Sequence, residues 1–292
     1  MFVDSHCHLD LPEFQERLPD VLATMAAEGV EHALCVSITL EAWPRIRDLV
    51  RAHPGLLSAS VGVHPDYLDV AEPTVVQLVE LAMQPEVVAI GETGLDYYRM
   101  PGDELDWQRE RFRVHIRAAR EAKKPLIIHT RSAAQDTIRL LREEHAEEAG
   151  GVMHCFTEDW DIARQALDIG FHISMSGIVS FKNATIVHDV ARRVPADRLL
   201  IETDSPYLAP VPYRGKTNQP GWVAHVAEAV ARLRQIPVEE VGRITTENYD
   251  RLFGRARLPA VQPAPAARWA ALGGIATSWH VPAARRCRSF PN

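Results

Sequence analysis

The stretch VDSHCHLD, residues 3–10, places His6 and His8 one residue apart between Asp4 and Asp10. On a strand, successive side chains point to opposite faces, so the two imidazoles share one face and Cys7 takes the other. Adjacent imidazoles repel when protonated, whereas a metal ion binds both in their neutral form. By itself an HxH pair is ordinarily an incidental strand end. What the rest of the chain brings beside it decides its meaning.

Working outward, seven more short apolar or β-branched stretches follow the first: HALCVSIT, LLSASVGVHP, VVAIGETGLD, PLIIHT, GVMHCF, FHISMSG and LLIETDSP. Segments with helical spacing separate them, among them WPRIRDLVRAHP, WQRERFRVHIRAAREAKK and DTIRLLREEHAEE, and two more helices are expected over 222–235 and 237–253. Gly29, Gly150 and Gly170 stand where helices should stop, and Pro54, Pro85 and Pro195 reinforce other boundaries. Nearly continuous apolar strands alternating with helices predict an α/β fold, a TIM (β/α)8 barrel, over residues 1–254. An open doubly wound sheet would ordinarily carry a glycine-rich first turn, and here the first strand ends in HCHLD instead.

Residues 255–292 are rich in Ala, Pro and Arg and are expected to form a disordered tail. That tail holds six arginines and no acid; with a net charge of −7, the barrel therefore carries −13. So acidic a body excludes broad attraction to nucleic acid and requires a locally positive site for any polyanion. Cys7, Cys35, Cys155 and Cys287 show no CxxC spacing and read as reduced thiols of a cytoplasmic protein. No run is long and apolar enough for a membrane span, and no signal peptide is expected.

In such a barrel chemistry collects where strands end. The proposed strands end with His6 and His8, Glu92, His129, His154 and Asp204. Each alone is weak evidence, but six metal-competent residues at one rim form a site. One catalytic ion takes about three protein ligands, so six fit two divalent ions with a shared carboxylate. The expected sets are His6, His8, Glu92 and Asp204 on one ion, and Glu92, His129 and His154 on the other. Two ions about 3.5–4 Å apart acidify a shared water and clamp an in-line displacement, with Asp204 as proton acceptor and Glu92 as bridge. Four imidazoles suit zinc, manganese or iron better than magnesium, which prefers oxygen ligands.

With these residues in view, the chain from Met1 to Gly254 resembles the TatD-type metal-dependent deoxyribonucleases of the amidohydrolase superfamily. The blocks that carry the resemblance are DSHCHLD, GVHP (62–65), GETGLDYY (91–98), IIHTR (127–131), MHCF (153–156), ETDSPYL (202–208), RGKTNQP (214–220) and TTENYDRLFG (245–254). The resemblance implies a divalent-metal hydrolase that cuts DNA as a 3′–5′ exonuclease or endonuclease, with activity supported by Mg²⁺. It implies metal binding at the same six residues. One departure stands out: the family commonly has an acid shortly after the strand-five histidine, where this chain has Ser132.

Substrate contacts are expected from His64 in GVHP, from Arg131 two residues beyond His129, and from Arg214, Lys216 and Asn218 in the loop after strand eight. Tyr97, Tyr98 and Tyr207 in rim loops are candidates for stacking on splayed bases. The expected partner is DNA, at single-stranded ends, met by a monomer. The alternative is ester or amide hydrolysis at the same centre, such as deacylation of D-aminoacyl-tRNA, since metals also polarise carbonyl oxygens; a catalytically idle binding protein is the third reading.

Overall fold

A computed structural model describes residues 1–98 and 105–256. These residues contain eight strands: β1 Phe2–Cys7, β2 Val30–Cys35, β3 Leu57–Val61, β4 Val87–Asp96, β5 Leu126–Arg131, β6 Gly151–Met153, β7 His172–Met175 and β8 Leu199–Ile201. All pair in parallel in chain order. The helices that return the chain are α1 Leu18–Ala27, α2 Trp43–Ala52, α3 Val75–Ala82, α4 Asp106–Ala122, α5 Ala134–Glu143, α6 Trp160–Asp168 and α7 Thr185–Arg193, followed by α8 Val223–Arg234 and α9 Val238–Leu252. This is the TIM barrel that the alternation of apolar strands and helical segments predicts.

The barrel has two apolar layers. Outward residues such as Ala33, Cys35, Leu57, Ala59, Met153 and Ile173 pack against the helices. A smaller inner group, Val3, Leu34, Val88, Ile127, Val152 and Leu200, packs against Tyr249 and Phe253, so α9 stoppers the floor of the barrel. Because side chains alternate, inward Ile127 and Val152 make His129 and His154, two residues further on, point inward at the opposite end. In β1 the register is irregular between Asp4 and Cys7. Val3 lies in the inner layer and Cys7 in the outer one, so the irregularity turns His6 and His8 inward.

Closure between β1 and β8 is made of single links. Cys7 and Ser205 form an isolated parallel bridge, the His8 N–H donates to Ser205 O at 2.9 Å, and the Asp204 N–H donates to His6 O at 2.9 Å. The segment DTIRLLREEHAEE reads as one helix, but α5 stops at Glu143 and His145 takes a left-handed conformation with φ 53°. A short 3-10 turn over Ala146–Glu148 then buries Ala146 and leads the chain back to β6. Arg255 and Ala256, at the start of the expected tail, pack on the barrel: Arg255 pairs with Glu31 and Asp250, and the Ala256 N–H donates to Ser58 Oγ at 3.0 Å. The remainder of the expected disordered tail lies outside the described residues. Among the described residues no helix is long and apolar enough to cross a membrane.

Candidate active site

Glu92 lies buried at the centre of the site, in the middle of β4, which continues four residues beyond the expected strand end to Asp96. Its Oε2 lies 3.4 Å from His6 Nε2 and 3.8 Å from His8 Nε2. Its Oε1 lies 2.8 Å from His154 Nε2, 3.1 Å from His129 Nδ1 and 3.4 Å from His64 Nε2. Asp204 Oδ1 is 3.5 Å from His8 Nε2 and 3.7 Å from His6 Nε2. All six residues expected at the metal centre thus converge, and the two oxygens of one carboxylate divide them into two groups. His64, expected only as a substrate contact, joins the Oε1 group.

Three partners behind the imidazoles set their orientation. His8 Nδ1 donates to Val36 O at 3.0 Å, which turns its Nε2 toward Glu92. His129 Nε2 meets Asp96 Oδ2 at 3.2 Å, and His154 Nδ1 meets Glu202 Oε1 at 3.2 Å. His129 therefore turns Nδ1 to the centre while His154 turns Nε2. Carboxylates that hold the far nitrogen of a metal-binding histidine fix its tautomer and raise its basicity. Asp96 and Glu202 were not singled out in the sequence. Their signal was spacing: Asp96 follows Glu92 by four on one strand, and Glu202 precedes Asp204 by two.

The electrostatics favour added positive charge. Burial pushes the pKa of His8 down, but the Asp204 hydrogen bond and the Glu92 charge outweigh it and bring it to about 9. His129 likewise reaches about 9, as Asp96 and Glu92 overcome burial. Burial pushes Glu92 up, but the charge of His154 and the hydrogen bonds with His129 and His154 outweigh it and hold Glu92 well below the ordinary carboxylate range. His6 moves the other way, lowered by burial and by the neighbouring His154 charge. The His154 and His6 rings stack at 3.9 Å, and His154 Nε2 and His6 Nδ1 are buried without an aligned hydrogen-bond partner. Imidazole nitrogens converging on two carboxylates form a donor set that fits divalent ions such as zinc or manganese.

The other expected substrate contacts fall into two classes. Arg131 lies over the Tyr98 ring at 4.0 Å, with Tyr98 exposed. Arg214 lies over Phe181 at 4.3 Å and Lys216 over Tyr213 at 5.3 Å, both cations at the surface. Tyr207 is partly exposed, its ring 6.4 Å from that of His8. Asn218 is not a loop contact: it is fully buried, and its Nδ2 donates to Thr203 O at 2.9 Å and Tyr207 O at 2.7 Å. It braces the turn after β8 from within. Tyr97 is also structural, donating its hydroxyl to Asp136 at 2.7 Å and accepting from Arg109 Nε at 3.0 Å. Ser132 has φ 54°, in the left-handed region, where the chain leaves β5.

The family described as TatD related DNase matches residues 3–254. The chain is 51% identical over 255 residues to YcfH of Escherichia coli K12, an uncharacterized metal-dependent hydrolase, covering 86% of this chain and 95% of that protein. It is 41% identical over 254 residues to the uncharacterized metal-dependent hydrolase YabD of Bacillus subtilis, covering 87% and 99%. Among solved structures, the TatD homologue YjjV of Escherichia coli K12 superposes with a TM-score of 0.77 at 26% identity, over 86% of this chain and 97% of the other.

Proposed function

The chain belongs to the TatD family of metal-dependent hydrolases, and from that premise we propose that it cleaves phosphodiester bonds of DNA, as a cytoplasmic monomer acting at single-stranded ends. The observation that carries this reading is the division of ligand groups about Glu92. An imidazole pair and Asp204 face or adjoin one oxygen, and a second imidazole pair faces the other. His6, His8, Glu92 and Asp204 would hold one divalent ion, and Glu92, His129 and His154 a second, with zinc, manganese or magnesium as the candidates. When bound, the ions supply Lewis acidity, polarising a phosphoryl oxygen and acidifying an attacking water.

The chain's own groups do the rest. Asp204 Oδ1 takes the proton released by the attacking water. Burial pushes this carboxyl up, but the His8 hydrogen bond and neighbouring imidazole charge hold it below the ordinary range, so it is ionised and ready to accept. Glu92, gripped by imidazoles on both oxygens, keeps the two halves of the site in register. His64, Arg131, Arg214 and Lys216 meet the phosphodiester chain, and Tyr98 and Tyr207 offer exposed faces on which unstacked bases lie. On a barrel of net negative charge, bound divalent ions together with Arg131, Arg214 and Lys216 would make a locally positive place for a polyanion.

The test is incubation of the metal-loaded protein with end-labelled single-stranded DNA, blunt duplex and D-aminoacyl-tRNA in parallel. Shortening of single-stranded ends faster than turnover of the other two is expected. Failure to cut DNA with Mg²⁺, Mn²⁺ and Zn²⁺ alike would overturn the reading, and deacylation without cutting would move the substrate to the acyl esters.

A further inference from the structure

Helix α4 packs on β4 and should bury an apolar stripe. Phe112, Ile116 and Ala119 do so, yet the buried face also carries Gln108, Arg111 and His115, spaced by three and four residues and all nearly inaccessible to solvent. Burying such groups is costly unless each polar atom is matched. Their partners are the backbone of two rim segments. His115 Nδ1 donates to Arg111 O at 2.8 Å, which leaves Nε2 as an acceptor for the Val63 N–H at 3.0 Å. Arg111 donates to His64 O at 3.1 Å and Tyr67 O at 2.7 Å, with its charge met by Glu72. Gln108 accepts the Asp96 N–H at 2.9 Å and donates to Pro65 O and Asp96 O, both at 3.3 Å.

The row therefore holds the chain on both sides of one imidazole. His64 itself accepts the Asp66 N–H on Nδ1 at 3.1 Å. That hydrogen bond places the proton of the neutral ring on Nε2, the atom 3.4 Å from Glu92 Oε1 and 3.3 Å from His129 Nδ1. A nitrogen that carries a proton donates a hydrogen bond and has no lone pair for an ion. This separates His64 from the other imidazoles around Glu92, although its position is much like theirs.

We propose that Gln108, Arg111 and His115 are positioning residues that fix His64 as an Nε2–H donor at the mouth of the site. The proposal rests on the hydrolase reading above for the donor's target, an anionic oxygen of the substrate, but not for the tautomer. Loosening the rim backbone frees the ring to rotate and to lose its Asp66 hydrogen bond. Chemistry then suffers while the ions stay bound.

Nitrogen NMR of the full-length, zinc-loaded protein carrying ¹⁵N-histidine reads the tautomer directly, with His64 assigned by its loss in His64→Gln. The wild type is expected to show a protonated Nε2 and an unprotonated Nδ1, and Arg111→Met to show averaged tautomers with unchanged zinc stoichiometry. In the cleavage assay Arg111→Met should lower kcat by about 10-fold or more, and by much less in a His64→Gln background, since residues acting through one group are not additive. If Arg111→Met does not fold, Glu72→Gln keeps the guanidinium while removing its charge partner from an exposed position, and should shift the same signals partway. A His64 protonated on Nδ1, or an equal loss from Arg111→Met with and without His64, would overturn the proposal. Absence of DNA cleavage together with the expected tautomer would overturn the substrate reading and leave the positioning role standing.

Discussion

Asp4 holds Thr203 by two hydrogen bonds across the barrel seam: its Oδ1 accepts the Thr203 N–H at 2.9 Å and its Oδ2 the Thr203 hydroxyl at 2.5 Å. Oδ1 also accepts the His6 N–H at 3.2 Å. One buried carboxyl group thus joins β1 to the segment after β8 at the point where ladder pairing between them is thinnest, and it ties the backbone of His6 to the residue before Asp204. Asp4→Ala leaves those groups buried without a partner, at about 1–3 kcal/mol for each. Chemical denaturation should show a loss of at least that size, and isothermal titration should show weaker metal binding. Unaltered binding in a folded Asp4→Ala protein would contradict the role.

Asp204→Asn retains the size of the side chain but removes its ability to take a proton. Turnover is expected to fall about 10²–10⁴-fold, the usual contribution of a positioned general base, with an unchanged circular dichroism spectrum. Wild-type rates in this variant would remove Asp204 from the mechanism.

Glu202 Oε1 also accepts the Cys155 N–H at 2.6 Å, so this carboxylate orients His154 and anchors the turn that carries it. Glu202→Gln keeps one acceptor and loses the charge. Metal affinity by equilibrium dialysis should drop about 10–100-fold, the range seen when a carboxylate behind a ligating histidine is changed. A bound ion count that falls by one per chain at limiting metal would locate the effect on the His154 side.

Chelation offers a further check. Stripping the ions should abolish cleavage and lower the melting temperature, because the convergent imidazoles and carboxylates lose the charge that reconciles them. Re-adding metal at 100 times its Kd returns about 2.7 kcal/mol per site. A chelated protein that melts where the untreated one does would mean that no ion is held there.

His32, on the barrel floor, binds Gly55 O through Nδ1 at 3.0 Å and Ser58 Oγ through Nε2 at 2.9 Å, and burial lowers its pKa to about 4. Between pH 6.5 and 4 the unfolded chain binds a proton here that the folded chain does not, so this contribution to stability falls as pH falls. The slope is steepest midway through that window, near pH 5, at about 1.2 kcal/mol per pH unit, and flattens toward either end. The margin of wild type over His32→Asn in urea unfolding should therefore narrow between pH 7 and pH 5. A constant margin would show that His32 titrates normally.

The eight strands, the helices between them and the six rim residues were legible because they rest on local rules. Apolar runs alternate with helical periods, and a parallel barrel carries every strand end to the same face. His129 and His154 could be aimed from that rule alone, and His6 and His8 could be placed on one face; which face they take was decided by the irregular register of β1. Other features depended on contacts between distant segments, which no short window of sequence encodes. Asn218 reads as a loop polar residue, yet it turns inward because the backbone carbonyls of Thr203 and Tyr207 need a donor there. Asp96 and Glu202 look like any acids in strand-end motifs until the far nitrogens of His129 and His154 arrive against them. The polar row of α4 reads as part of a charged helix face, and only the rim loop packed on it makes burial tolerable. Local periodicity thus determined which residues reach the rim, and tertiary packing decided how they are oriented, because hydrogen-bond geometry is set by groups that folding alone brings within 3 Å or so of one another.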